Sequence, residues 1–243
     1  MKISPHVAML NVEYPGGQLH PALLWDENTL MLVDAGFPGQ LDALCDAIRK
    51  EGFAPEALTH ILFTHGDIDH VGCARELMAL APGAETMAHR LEAGHIDGSD
   101  LPPKVAYRRA LYQNEPEKLA EIEAGAANYA AQCTVPIARK LEDGDVMRMC
   151  GGIRVIHAPG HTDGHCFFYL ESGRVLITGD GINAQMARLS GPNPIHTFDM
   201  EKARASITRL ATMKLPIDEV ISYHGGRVIG DIQSQLEGLA GHP

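Results

Sequence analysis

The chain has 243 residues, with 20 Lys and Arg against 31 Asp and Glu, a formal net charge of −11, and 45% apolar and 21% charged residues. This is a globular composition, which excludes a disordered or fibrous chain. The acidic balance argues against nucleic acid or an anionic membrane as partner, because both are gripped by clustered Lys and Arg. No run of ~20 apolar residues is present, so no membrane span is expected. The N-terminal Met-Lys-Ile-Ser-Pro-His-Val lacks an apolar run before a small-residue cleavage site, and a cytoplasmic location is expected. Cys45, Cys73, Cys133, Cys150 and Cys166 form no CxxC pair and read as reduced, mostly buried thiols.

Short apolar runs at 7–14, 19–25 and 29–33 predict an N-terminal meander, turned at Pro-Gly-Gly and Asp-Glu-Asn. Leu41, Leu44, Cys45 and Ile48 fall at helical spacing and predict a helix over 40–50. A strand over 58–63 runs into a polar loop, 64–69. A helix over 70–80 stops at Pro82 and Gly83, and a short strand covers 85–88. From about 90 to 135 charges are denser, which predicts a helical insert with helices over about 104–113 and 116–131. Strands return at 153–157, 166–170 and 175–178. Asp199 can cap a helix reaching about Met213, with Ala203, Ile207, Leu210 and Ala211 on one face. A strand over 220–223 and a closing helix over 232–239 complete the chain. Residues 1–243 read as one domain of two sheets with helices outside them.

Four polar tracts each follow or end a predicted strand. They are Thr64-His65-Gly66-Asp67-Ile68-Asp69-His70, Pro159-Gly160-His161-Thr162-Asp163-Gly164-His165, Gly179-Asp180-Gly181 and Tyr223-His224-Gly225-Gly226. In an extended turn residues 65, 67 and 69 point the same way, and His70 opens a helix and points back. Imidazole and carboxylate suit Zn, Fe and Mn better than Cu(I), and no thiolate competes. The remaining histidines, His6, His20, His60, His89, His95, His157, His196 and His242, read as ordinary surface or core residues.

In the order and spacing of these motifs, from Val33-Asp34-Ala35-Gly36 to His224, the sequence resembles the metallo-β-lactamase superfamily. The resemblance implies an α/β (α+β) fold, a four-layer αββα sandwich with metals at one edge between the sheets. It also implies His65, Asp69, His70, His161, Asp180 and His224 as ligands, Asp180 as a bridge between two metals, and Asp34 as a structural residue. His165 is expected to pack beneath the site. The departure is Asp67. The usual first motif is His-x-His-x-Asp-His, and this chain is similar to a smaller subgroup with His-x-Asp-x-Asp-His. We read Asp67 as a seventh ligand, giving each metal two imidazoles, a terminal carboxylate and the shared Asp180. Such a site leans toward Fe or Mn beside Zn and raises the pKa of a bridging water. The alternative is that Asp67 falls short and only one metal binds.

The expected cofactors are two divalent metal ions, Zn first, with Fe or Mn as alternatives. The expected reaction is attack of a metal-bridging hydroxide on a small-molecule ester, thioester, lactone or related bond. Asp69 is the catalytic residue, orienting the nucleophile and passing a proton to the leaving group. A mononuclear iron dioxygenase acting on sulfur substrates is the alternative. A β-lactamase is disfavoured by the missing export signal. Acyl-homoserine lactonases carry a Tyr shortly after the bridging Asp, where Ile182 and Asn183 follow Gly181 here. Glyoxalase II is set aside because little chain follows His224. The insert and the loop 182–198 should wall the pocket. Tyr107, Arg108, Arg109 and Tyr112 offer an aromatic and cationic patch, read first as a solvated helix face, and Asn193 is a candidate donor to substrate. The insert is read as a lid, a homodimer contact or both.

Overall fold

The computed structural model describes residues 1–4 and 6–241, so His242 lies outside the described residues. The chain opens with β1 (Lys2–Ser4), β2 (Val7–Met9), a hairpin of β3 (Val12–Tyr14) and β4 (Gly17–Leu19), β5 (Ala22–Trp25) and β6 (Leu30–Val33). Then come α1 (Leu41–Lys50), β7 (His60–Leu62), α2 (Ile68–Val71), α3 (Ala74–Leu80) and β8 (Glu85–His89). The insert is α4 (Arg90–Asp97), α5 (Pro103–Leu111) and α6 (Pro116–Gln132). The second half begins with β9 (Arg139–Leu141), β10 (Val146–Met147), β11 (Ile153–His157), β12 (Cys166–Leu170) and β13 (Val175–Ile177). It ends with the hairpin β14 (Asn183–Gln185) and β15 (Arg188–Ser190), α7 (Met200–Thr212), β16 (Glu219–Ser222), β17 (Gly226–Ile229) and α8 (Ile232–Gly241).

Two sheets face each other. One has the order β1-β2-β5-β6-β7-β8-β9 and the other β10-β11-β12-β13-β16-β17. Alternation along the strands builds the layers. Met31 and Val33 of β6 and Cys166, Phe168 and Leu170 of β12 point between the sheets. Leu30 and Leu32 point outward onto Leu44, Ile48 and Leu77 of α1 and α3. Phe167 and Tyr169 point outward onto Ile207, Leu210 and Leu236 of α7 and α8. Strands covered on both faces need continuous apolar runs, and Cys166-Phe167-Phe168-Tyr169-Leu170 is one, buried throughout. The result is the expected four-layer αββα sandwich. All five cysteines are buried and free. Among the described residues no helix is long and apolar enough to cross a membrane.

Some expected elements are divided, for reasons that bear on the site. The apolar runs 7–14 and 19–25 each break where the β3–β4 hairpin leaves the sheet, and Pro21 cannot donate to a ladder. The hairpin instead carries Leu19 into a bridge with His224. The helix over 70–80 is two helices, α2 and α3, because the amides at the join are diverted. Gly72 N–H donates to Gly36 O at 2.8 Å, and Cys73 N–H donates to Ala35 O at 3.1 Å. A Cβ at Gly72 would stand 2.4 Å from Gly36 O, so only glycine permits this approach.

Candidate metal centre

Strands β6, β7 and β8 run parallel, as do β13 and β16. The loops leaving β6, β7, β11, β13 and β16 carry Asp34, the 65–70 tract, His161, Asp180 and His224. They meet where the two sheets come together, and Cys166 N–H donates to Thr64 O at 3.0 Å across that junction.

Two donor clusters form. His65, His161 and Asp180 offer ligand atoms within 4.8 Å of one another, and so do Asp69, His70 and His224. Asp67 joins the first: its Oδ2 lies 2.9 Å from His161 Nε2 and 3.4 Å from His65 Nε2. Asp180 spans both. Its Oδ1 lies 3.2 Å from His70 Nε2 and 3.4 Å from His224 Nε2, and its Oδ2 lies 3.6 Å from His161 Nε2. All seven residues singled out in the sequence therefore converge.

The donor set fits divalent cations. His65 Nε2, His70 Nε2 and Asp180 Oδ1 are buried, and they make no hydrogen bond of good geometry although other donors of the clusters stand 3.2–3.4 Å away. An unpaired buried polar atom costs about 1–3 kcal/mol, so several aimed into one space call for a ligand. Imidazole and carboxylate donors in that space suit Zn, Fe or Mn.

The backbone around the clusters is braced from below. Asp34 has φ +64°, a left-handed conformation uncommon outside glycine. That turn lets its carboxylate accept from Thr64 N–H at 2.9 Å and Thr64 Oγ1 at 2.8 Å, and meet His70 Nδ1 at 2.9 Å. His165 sits beneath Asp180, where its Nε2 accepts from Asp180 N–H and Gly181 N–H, each at 3.2 Å. Burial, followed by the neighbouring His65 and His161, holds the His165 pKa well below the imidazole range, so the ring is a neutral acceptor. Tyr223 donates its hydroxyl to Asp69 O and accepts from Gly36 N–H at 3.1 Å.

Charge in the clusters is balanced by neighbours. Burial pushes the Asp67 carboxyl up. His65, the hydrogen bond with His161 and the Lys104 ammonium outweigh burial and hold it well below the usual range. Burial likewise opposes ionisation of Asp69, but His70 and the hydrogen bond with His224 bring its pKa down.

Among the described residues, three participants that the sequence did not single out belong to the insert. Buried Glu92 accepts from Gly66 N–H with one oxygen and Gly164 N–H with the other, each at 2.8 Å, tying the first two tracts together. Tyr129 donates to Gly66 O at 2.8 Å. Lys104 pairs with Asp67 Oδ2, and its Nζ lies 3.2 Å from His161 Nε2. The only trace was in the tracts themselves, where Gly66 and Gly164 leave room for Glu92; a Cβ at Gly164 would stand 2.8 Å from it.

The clusters open onto a cleft of ≈ 1690 Å³, lined by Asp67, Asp69, Asp180 and His224 and walled by the insert and the loop after β15. The expected aromatic and cationic patch divides. Tyr107 and Arg108 line the cleft. Arg109 pairs with Glu123 at 2.6 Å, and Lys118 stands 4.3 Å over the Tyr112 ring. Asn193 lines the cleft, and its side-chain oxygen accepts from Ile195 N–H at 3.0 Å. His95 and His196, read as ordinary, also line the cleft. His89 and His157 stack on each other, centroids 4.2 Å apart.

An αββα sandwich with paired His and Asp clusters at the edge shared by its sheets defines a metallohydrolase of the metallo-β-lactamase fold. A model of the metallo-β-lactamase superfamily matches residues 15–224, and the chain belongs to that superfamily. It is 26% identical over 231 residues to the probable metallo-hydrolase YflN of Bacillus subtilis, covering 88% of this chain and 83% of that one. It is 29% identical over 213 residues to the hydroxyacylglutathione hydrolase GloC of Haemophilus influenzae, covering 86% of each. A metallo-beta-lactamase family protein from Thermus thermophilus superimposes with a TM-score of 0.72 at 25% identity, over 99% of this chain and 80% of that one. The GloC match corrects one expectation. A hydrolase of that name is spanned over 86% of its length, so the short stretch after His224 gives no ground for setting such an activity aside.

Proposed function

We propose that this enzyme hydrolyses a small-molecule ester, thioester or lactone at a two-metal centre, with Zn first and Fe or Mn as alternatives. His65, Asp67, His161 and Asp180 would hold one cation, and Asp69, His70, His224 and Asp180 the other. The observation that carries this reading is the pair of donor clusters sharing Asp180, with His65 Nε2, His70 Nε2 and Asp180 Oδ1 buried and without a hydrogen bond of good geometry. When bound, divalent cations supply Lewis acidity, making a nucleophile from water near neutral pH and polarising the attacked oxygen.

The chain's own groups do the rest. Asp69 lines the cleft as a carboxylate held by His224 Nε2 at 3.1 Å and by Tyr223 through its backbone. In this reading it accepts the proton of the attacking water and returns it to the leaving group. The rim of the cleft carries an apolar patch, with Ile195 86% and Phe198 42% exposed beside Tyr107. Such a rim suits an apolar acyl arm, and Arg108 on the same wall suits an anionic group. The name of GloC supports a thioester among the candidates.

Elemental analysis of protein purified without added metal, followed by ester, thioester and lactone panels with and without chelator, tests the reading. Bound divalent metal and chelator-sensitive hydrolysis are expected. No metal uptake would overturn it, and so would one iron per chain with oxygen consumption on thiol persulfides.

A further inference from the structure

The two clusters differ in one respect that composition does not suggest. Lys104, the second residue of α5, reaches into the first. Its ammonium pairs with Asp67 Oδ2 and lies 3.2 Å from His161 Nε2, so it fills the space beside both atoms that a cation there would need. Neither partner is a surface group: the Lys104 and Asp67 side chains are 29% and 26% exposed. The second cluster has nothing comparable. Among the described residues, Asp69 pairs only with His70 and His224, and Asp180 only with His70, His161 and His224, with no Lys or Arg in contact.

We propose that Lys104 makes the two metal positions unequal, acting as a built-in cation that competes with the metal at His65, Asp67 and His161. The inference rests on the two-metal reading above. A divalent ion ligated by His161 and Asp67 needs roughly 2.0–2.2 Å to each ligand atom. An ammonium cannot share that space, by volume or by charge. The position at Asp69, His70 and His224 therefore loads first, and the position at His65, Asp67 and His161 loads only as Lys104 withdraws. Lys104 stands in the first turn of α5, so its withdrawal also frees the insert's one ionic tie to the metal loops among the described residues.

The test is calorimetric titration of chelator-stripped whole protein with Zn²⁺, with bound metal counted by elemental analysis, in wild type, Lys104→Met and Lys104→Gln. The Met variant keeps most of the stem, and the Gln variant keeps a polar head without charge. Wild type should take one equivalent tightly and a second roughly 10–100-fold more weakly, the range by which neighbours of ligands alter metal affinity. Both variants should bring the weaker constant up toward the tighter. If the Met variant does not fold, the Gln variant carries the comparison. Two equal equivalents in wild type would overturn the inference, as would an unchanged weaker constant in the variants or a single equivalent in all three proteins. No uptake by any of them would overturn the metal-centre reading itself.

Discussion

Asp34 Oδ2 stands 2.9 Å from His70 Nδ1, and both side chains are buried. A carboxylate on Nδ1 fixes the tautomer that leaves Nε2 free toward the second cluster and raises its basicity. Asp34→Asn keeps the shape and tolerates the left-handed backbone, but it replaces one acceptor with a donor. Metal affinity at that position should fall roughly 10–100-fold with little change in fold. Competition against a chromophoric chelator measures this, and an unchanged constant would remove Asp34 from the support of the site.

Glu92 spans the two tracts that carry His65 and His161, through Gly66 N–H and Gly164 N–H. Glu92→Ala leaves one buried and one half-buried amide without acceptors, at up to about 1–3 kcal/mol each. Glu92→Gln keeps one acceptor and should lose about half as much. Urea midpoints for the two variants give the comparison, and equal, small losses would mean that the loops are held by something else.

Burial, and after it the adjacent His157, pushes the His89 imidazole down to about 4. In the unfolded chain a histidine titrates near ~6.5. Between those values the unfolded state takes up a proton that the folded state refuses, so this residue lowers stability as pH falls. Its contribution is fully present above ~6.5 and gone below about 4, with a slope of at most about 1.4 kcal/mol per pH unit. Denaturation at pH 7, 6 and 5 should show a flatter dependence in His89→Gln than in wild type. Parallel curves would rule the residue out as the source.

Tyr107 of the insert meets Phe198 edge-to-face across the cleft mouth, ring centroids 5.8 Å apart. If the apolar patch on the rim holds an acyl arm, Phe198→Ala should raise KM for a long-chain nitrophenyl ester by roughly tenfold, about 1–3 kcal/mol of apolar contact, and leave the acetyl ester unchanged. An equal change for both esters would place Phe198 in structure and not in selectivity.

The seven donors were legible because their chemistry is local. His65, Asp67, Asp69 and His70 fall within one turn, and His161, Asp180 and His224 each sit beside glycine or just past an apolar strand. The long core strands were legible for the same reason, since 166–170 is a continuous apolar run and 153–157 is apolar at Ile153, Val155 and Ile156, and these match β12 and β11. The strands β9, β10, β14, β15 and β17 have two to four residues each, too few to express a period. Glu92, Lys104 and Tyr129 were hidden for another reason. Each lies on a helix rich in similar residues, and only the tertiary fold distinguishes Glu92 from Glu121 or Lys104 from Lys118.

The donors come from loops of both sheets, and the chain between His65 and His224 includes the whole insert and most of the second sheet. An incompletely folded chain can offer metal only the 65–70 tract. Ion capture therefore cannot nucleate this fold, as it does in small zinc domains. It follows the slow assembly of distant strands, so the rate of metal uptake by refolding protein would time the last step of folding.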